Sequence, residues 1–260
     1  MGLTKLVLKA AVPLPKIEKY DRFLFIGPHP DDIEIGAGAT AAKLAAAGKR
    51  ICFLICTDGR FGDGNAPEEI RQDKQKLIAC RKKEAIRSAA LLGVSDVRFL
   101  ELCDGGFYEF KDLLRGVAEV VGDFGPQVIF APDPAVTSEC HIDHLNVGKA
   151  AAQIACHGPY EGIMKQHGAV SGAPVEAIAF YMTANPTQYV KTVGFLPRQL
   201  ESIFGCPLSQ FPQGCGEAKT IALYLRLRSA DFGLRSFLGC AEGFRVLGAT
   251  HMHCLPEAGK

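Results

Sequence analysis

Phe23-Leu24-Phe25-Ile26-Gly27-Pro28-His29-Pro30-Asp31-Asp32 is the stretch that decides how this chain folds. The apolar run from Phe23 to Gly27 reads as a short buried β-strand. It stops abruptly at a histidine and two adjacent carboxylates. A strand ending at His29 delivers the imidazole to the carboxyl edge of a sheet, and Asp32 shares that edge after the turn at Pro30. Asp31 sits between them and can point elsewhere in the same pocket. An isolated Asp pair is a weak signal, because Asp readily caps a helix N-terminus. The signal sharpens far downstream, at His141-Ile142-Asp143-His144. This second cluster follows another apolar run, Val128 to Ala131, through a loop with two prolines, and so arrives at the same edge. His29, Asp32 and His144 supply two imidazoles and a carboxylate, which leaves a zinc position open for water. In the remaining pair, the Asp143 carboxylate orients the His141 imidazole and favours its protonated form.

Outward from these clusters, strand and helix signals alternate. Ala37 to Ala47 is Ala-rich and ends at Gly48, a good helix-terminating residue. Ile51 to Thr57 is a β-branched apolar run. Arg81 to Leu92 has helical periodicity and stops at Gly93. Val97 to Leu100, Leu113 to Val121 and Val128 to Ala131 continue the pattern as strand, helix, strand. A helix is expected from His144 to about Ala155, a loop from His157 to Pro174, a strand from Ala177 to Tyr181 and a late helix between Ser209 and Ser229. Short buried strands separated by amphipathic helices make a parallel sheet covered on both faces. No repeat or linker interrupts the pattern, and residues 1–260 read as a single domain. The polar, turn-rich stretch from Gly59 to Lys76 follows the carboxyl end of a strand and reads as a substrate-facing loop.

Composition narrows the function class. The 260 residues are 48% hydrophobic, with a formal net charge of only +1. That balance gives no electrostatic case for nucleic acid or an anionic membrane surface. Ten cysteines are present without a C-x-x-C pair; several lie in apolar runs and read as free thiols in a reducing compartment. The N-terminal segment is a poor signal peptide, and no stretch is long and apolar enough to span a bilayer. A soluble, cytoplasmic protein is expected.

Pro28-His29-Pro30-Asp31-Asp32-Ile33-Glu34 and His141-Ile142-Asp143-His144 resemble the two signature motifs of the LmbE/PIG-L family of zinc-dependent N-deacetylases. The resemblance extends to Thr57-Asp58-Gly59, Arg81-Lys82-Lys83-Glu84-Ala85, Leu92-Gly93-Val94, Asp104-Gly105 and Ala241-Glu242-Gly243-Phe244, in that order along the chain. It implies a Rossmann-like α/β fold with a mostly parallel sheet and helices on both faces. It also implies removal of an acetyl group from an N-acetylglucosamine moiety, so that the partner is a small amino-sugar substrate. By the same resemblance His29, Asp32 and His144 hold the metal and Asp31 is the general base. His141 steadies the oxyanion with Asp143 behind it, and Asp58, Arg81 and Asp104 are substrate-binding. Zinc is the expected ion, with iron or cobalt able to use the same ligands. Homo-oligomer formation is implied as well. Two departures stand out: Glu139 occupies a position where some relatives carry a tyrosine, and the polar insert from Arg60 to Lys76 is longer than in compact relatives.

Competing readings exist. Gly36-Ala37-Gly38-Ala39-Thr40-Ala41 fits G-x-G-x-x-A, with Asp58 about twenty residues on, as in a dinucleotide site. That fingerprint needs its glycines in the turn directly after the strand. Here the turn holds His29-Pro30-Asp31-Asp32, whose carboxylates would repel a pyrophosphate, so the glycines read as aids to close helix–sheet packing. His251-Met252-His253 alternates like a metal pair but reads as a surface C-terminal strand; in an oligomer either histidine could reach a neighbour's pocket. Arg81 could simply pair with Glu84 on its own helix.

Overall fold

Strand β1 (Arg22–Gly27) is paired in parallel on both sides, with β2 (Arg50–Thr57) on one flank and β4 (Val128–Pro132) on the other. The computed structural model describes residues 7, 10–205, 211 and 215–253. Among these, β3 (Asp96–Leu102), β5 (Ala177–Tyr181), β6 (Gln188–Lys191) and β7 (Ala241–Gly248) complete a seven-stranded sheet of order β3-β2-β1-β4-β5-β7-β6. The first five positions in this order are parallel; β7 runs antiparallel to both β5 and β6. The chain steps outward from β1 to β2 to β3, then returns to the opposite side of β1 with β4. This reversal opens a crevice beyond the carboxyl ends of β1 and β4, the ordinary ligand position of an open α/β sheet.

Each face of the sheet is built by the two-residue alternation of its strands. Phe23 and Phe25 of β1 face one side, with Phe53, Phe130 and Phe244. There Phe25 stacks on Phe130 with ring centroids 4.2 Å apart. Helices α1 (Asp32–Ala46) and α3 (Lys74–Leu91) cover this side through Ala37, Ala41, Leu44 and Ala89. Leu24 and Ile26 face the other side, under α4 (Phe110–Phe124) and α5 (Ile142–His157), which contribute Val117, Val121, Ala151 and Ile154. Helices therefore cover both faces, and the α/β class expected from the strand–helix alternation holds.

The glycines of the G-x-G-x-x-A segment lie inside α1, not in the turn after β1. A Cβ on Gly36 would come within 2.2 Å of the Tyr181 ring, and one on Gly38 within 3.0 Å of Gln199 Cγ. Their role is close approach, and the dinucleotide reading has no support. Alpha-helical geometry is broken at Ala37 (φ −151°, ψ 17°), so α1 is kinked beside Tyr181.

Several local expectations change. The helix expected from Arg81 begins at Lys74, because the Asp73 carboxylate accepts from the amides of Gln75 and Lys76 and so caps the earlier turn. A short helix, α2 (Glu68–Arg71), lies within the polar insert, and α6 (Glu161–Gln166) within the expected 157–174 loop. Helix α7 (Leu196–Phe204) packs on α1. The late helix is α8 (Gly216–Ser236); part of its expected start, after Ser209, lies outside the described residues. His251 to His253 form a helical turn, α9 (Ala249–His253), in place of the expected strand. All eight described cysteines are free thiols. No helix among the described residues is long and apolar enough to cross a membrane.

Candidate metal centre and active site

The segment after β1 turns sharply into α1, and its backbone is held open at Asp31, which has φ 107° and ψ −24°. A non-glycine residue in this left-handed region costs free energy and persists only where the surroundings enforce it. Asp31 precedes the first helical residue, yet its side chain makes no capping hydrogen bond. Its Oδ2 is buried without a hydrogen-bond partner, 3.9 Å from Nη2 of Arg81. Burial, reinforced by the neighbouring Asp32 carboxylate and opposed by Arg81, pushes the Asp31 pKa up to about 8.

Asp32 does the anchoring. Its Oδ2 accepts from the His29 amide at 2.9 Å and lies 3.0 Å from His29 Nδ1, while Oδ1 lies 3.4 Å from His144 Nε2. Burial opposes ionisation of Asp32, but His144 and His29 outweigh it and hold the carboxyl well below its usual range. His29, Asp32 and His144 each offer one ligand atom, and these atoms lie within 4.8 Å of one another. The other nitrogens are also held. His29 Nε2 is 3.1 Å from both Asp104 Oδ1 and Asp143 Oδ2, and His144 Nδ1 is 3.1 Å from Glu139 Oε2. The carboxylates behind His29 fix the tautomer that leaves its opposite nitrogen free for a metal; at His144 the Glu139 carboxylate is a charged neighbour, and Nδ1 makes no hydrogen bond. Burial alone would discourage a charged His29; hydrogen bonds to Asp104, Asp143 and Asp32 reverse that and hold its pKa up at about 12. A pocket this rich in carboxylates favours a cation, and the donor set fits a divalent transition metal.

The loops after β3 and β4 complete the wall. Asp143 is fully buried and accepts from the amides of Gly105 and Gly106 at 2.8 and 2.9 Å. His141 precedes α5, and its Nδ1 accepts from the Asp143 amide at 3.3 Å. The expected His141–Asp143 side-chain pair is loose, at 3.8 Å; the Asp143 carboxylate is committed to His29 and to the glycine amides instead. His29, Asp31, Asp32, Arg81, Asp104, His141 and His144 line one cavity of about 470 Å³. Arg81 is buried and donates to the carbonyls of Gly59 and Pro30, bracing both loops around Asp31. Asp58 lies at the end of β2 but does not line this cavity. It accepts from Arg60 Nε at 2.8 Å and from the Arg60 amide, a contact within its own loop.

A family model described as PIG-L, GlcNAc-PI de-N-acetylase, matches residues 24–155, the span that carries both ligand clusters. The chain belongs to the PIG-L family. It is 28% identical to the diacetylchitobiose deacetylase of Thermococcus kodakarensis over 265 residues, covering 98% of this chain and 93% of that protein. It is also 28% identical over 205 residues to the 1D-myo-inositol 2-acetamido-2-deoxy-alpha-D-glucopyranoside deacetylase of Kineococcus radiotolerans, covering 68% of this chain and 56% of that one. Among solved structures, the N,N′-diacetylchitobiose deacetylase of Pyrococcus horikoshii superposes with a TM-score of 0.82 at 26% identity, over 98% of this chain and 97% of that one.

Three features of this PIG-L chain's site escape a sequence reading. Glu139 stands behind His144, and nothing in its spacing announces that. Glu34, within the first motif, is buried, and burial pushes its carboxyl up to about 7. Phe61 lines the cavity, within the stretch expected to face substrate, but nothing in that polar, turn-rich sequence singles out the ring. The terminal histidines stay apart from the cavity: His251 Nε2 lies 3.2 Å from the Val12 carbonyl oxygen.

Proposed function

We propose that this chain removes the N-acetyl group from an N-acetylglucosamine-type amino sugar or its conjugate, using zinc held by His29, Asp32 and His144. The observation that carries this reading is the meeting of those three side chains beside the unpartnered, buried oxygen of Asp31. The named activities of its deacetylase relatives support it.

Zinc at this position supplies Lewis acidity and makes water acidic enough to attack an amide at neutral pH. The rest is the work of side chains. Asp31 takes the proton of the attacking water on Oδ2, which no hydrogen bond occupies, as a general base requires. His141, on the cavity wall, faces the negative charge that develops on the acetamide oxygen and donates to it. Asp31 then returns its proton to the leaving nitrogen, releasing acetate and a free amine. Asp143, Asp104 and Glu139 hold His29 and His144 in orientation. Arg81 and Asp104 line the cavity and meet the sugar hydroxyls there. Asp58, committed to Arg60, acts on the loop and not on the sugar.

Metal analysis of purified protein, followed by an acetate-release screen across N-acetylglucosamine derivatives, tests this reading. Stoichiometric zinc, lost in both His29→Ala and His144→Ala, together with acetate release, is the expected result. Full zinc retention in both variants, or tight nicotinamide-nucleotide binding in place of acetate release, overturns it.

A further inference from the structure

Two aromatic side chains stand at the cavity mouth with no part in the chemistry described above. Phe61 follows β2 and lines the cavity; Phe107 follows β3, just beyond the cavity residue Gly105. Phe61 is 51% exposed and Phe107 71%. Their ring centroids are 5.9 Å apart with planes inclined at 69°. Ile142, 44% exposed, adjoins them through Gly106, where an added Cβ would sit 2.7 Å from Ile142 Cγ2. Leaving neighbouring large apolar groups in water at a pocket mouth forgoes burial, and such a patch marks a contact surface.

What holds these rings in place is more telling than their exposure. Asp104 accepts the Phe61 amide on Oδ2 at 3.1 Å and faces His29 Nε2 with Oδ1, also at 3.1 Å. Asp143 faces the same His29 nitrogen with Oδ2 and accepts the amides of Gly105 and Gly106. Those glycines have φ of 86° and 79°, and this left-handed pair turns the chain so that Phe107 follows at the mouth. Both ring-bearing loops therefore hang from the two carboxylates that face Nε2 of His29. The rings are held at a fixed offset from the reaction centre, which suits substrate positioning.

We propose that Phe61 and Phe107 form a stacking platform for a second sugar ring, adjacent to the acetamido sugar that loses its acetyl group. The substrate class is then a short oligosaccharide of N-acetylglucosamine with at least two rings. This inference rests on the deacetylase reading above and names the substrate of that site. A pyranose with equatorial substituents presents an apolar face of C–H groups and carries its hydroxyls around the rim. An aromatic face is apolar and carries negative partial charge, so the two faces match. The patch is continuous with a polar cavity, and Lys74 lies 5.5 Å from the Phe61 centroid. The two rings, inclined at 69°, form an apolar corner with a cation over one of them, which fits a sugar ring that is apolar on its face and polar at its edge.

The test compares kcat/KM for acetate release from N,N′-diacetylchitobiose and from N-acetylglucosamine, in the wild type and in Phe61→Ala, Phe107→Ala and Phe61→Tyr. Wild-type enzyme is expected to prefer the disaccharide. Each alanine variant is expected to lower that preference roughly tenfold, as loss of one aromatic contact implies, with the change in KM. Phe61→Tyr keeps the ring and is expected to keep the preference. Parallel losses on both substrates, or an unchanged ratio in both alanine variants, overturn the platform while leaving the deacetylase reading intact. So does a wild-type enzyme that acts on the monosaccharide alone. Acetate release from no N-acetylglucosamine derivative at all overturns both.

Discussion

Oδ2 of Asp143 lies 3.1 Å from Nε2 of His29, bridging 114 positions of sequence at the junction of β1 and β4. The carboxylate is fully buried, so its hold on the imidazole is not diluted by water. It orients His29 with Nδ1 toward Asp32. Asp143→Asn keeps the shape but removes one of the two charges behind His29 Nε2, leaving that of Asp104. Metal affinity, measured by competition with a chelator, is expected to fall about tenfold or more, the ordinary effect of losing a carboxylate behind a metal-binding histidine. An affinity equal to wild type would mean that Asp104 alone suffices to orient His29 and that Asp143 serves the Gly105 and Gly106 amides.

Asp31 invites a cleaner separation of metal binding from turnover. Its backbone is left-handed, a conformation Asn tolerates better than most residues, so Asp31→Asn leaves the turn intact. The amide cannot take a proton from water. Turnover is expected to fall by roughly 10²–10⁴ while metal content is retained. Acetate release near the wild-type rate in a metal-loaded Asp31→Asn protein would assign the base elsewhere.

The core of this architecture was legible because it is written in short-range patterns. The run from Phe23 to Gly27 is apolar at every position, as a strand buried on both faces must be, and β1 occupies that place. From one such strand and a second ending before His141, the convergence of His29 and His144 follows by topology alone. Contacts made by loops were not legible. The carboxylate of Asp58 sits at the anticipated sheet edge, yet Arg60, two residues on, claims it, a contact that no periodicity encodes. Glu139 reaches His144 from a loop, and its position in sequence carries no orientation. The antiparallel strands β6 and β7 also lacked a signal. β7 is buried at Ala241, Gly243, Phe244, Val246 and Gly248 and partly exposed at Glu242, Arg245 and Leu247, so its alternation slips between Gly243 and Phe244 and leaves no clean two-residue signal.

Gly36 tests the packing account of the G-x-G-x-x-A segment. The position faces Tyr181, which is fully buried and donates from its hydroxyl to the Ile26 carbonyl at 2.8 Å. A methyl group there would overlap the ring, and the ring is tied at its far end. Gly36→Ala is expected to destabilise the protein by about 1–3 kcal/mol, the usual cost of overpacking a core. The midpoint of urea unfolding reads this directly. An unchanged midpoint would show that Tyr181 moves aside without cost.

Metal-free protein is expected to lose stability as pH rises from weakly acid to neutral, through the buried carboxyls of Glu242 and Glu34. Glu242 accepts from the amides of Ala39 and Thr40 and from Gln199 Nε2. Those hydrogen bonds favour its charged form, but burial outweighs them and pushes its pKa from 4.5 up to about 7. Glu34 shifts the same way, again chiefly by burial. Between these two pH values the native state binds more protons than the unfolded chain, so unfolding free energy falls as pH rises through the window. The stabilisation is fully present below the unfolded value and is gone above the folded one. Glu242→Gln removes one of the groups that titrate here and is expected to reduce the pH dependence of the urea midpoint between pH 4.5 and 7. A slope identical to wild type would show that the Glu242 carboxyl is already ionised in the folded chain, held by its three donors.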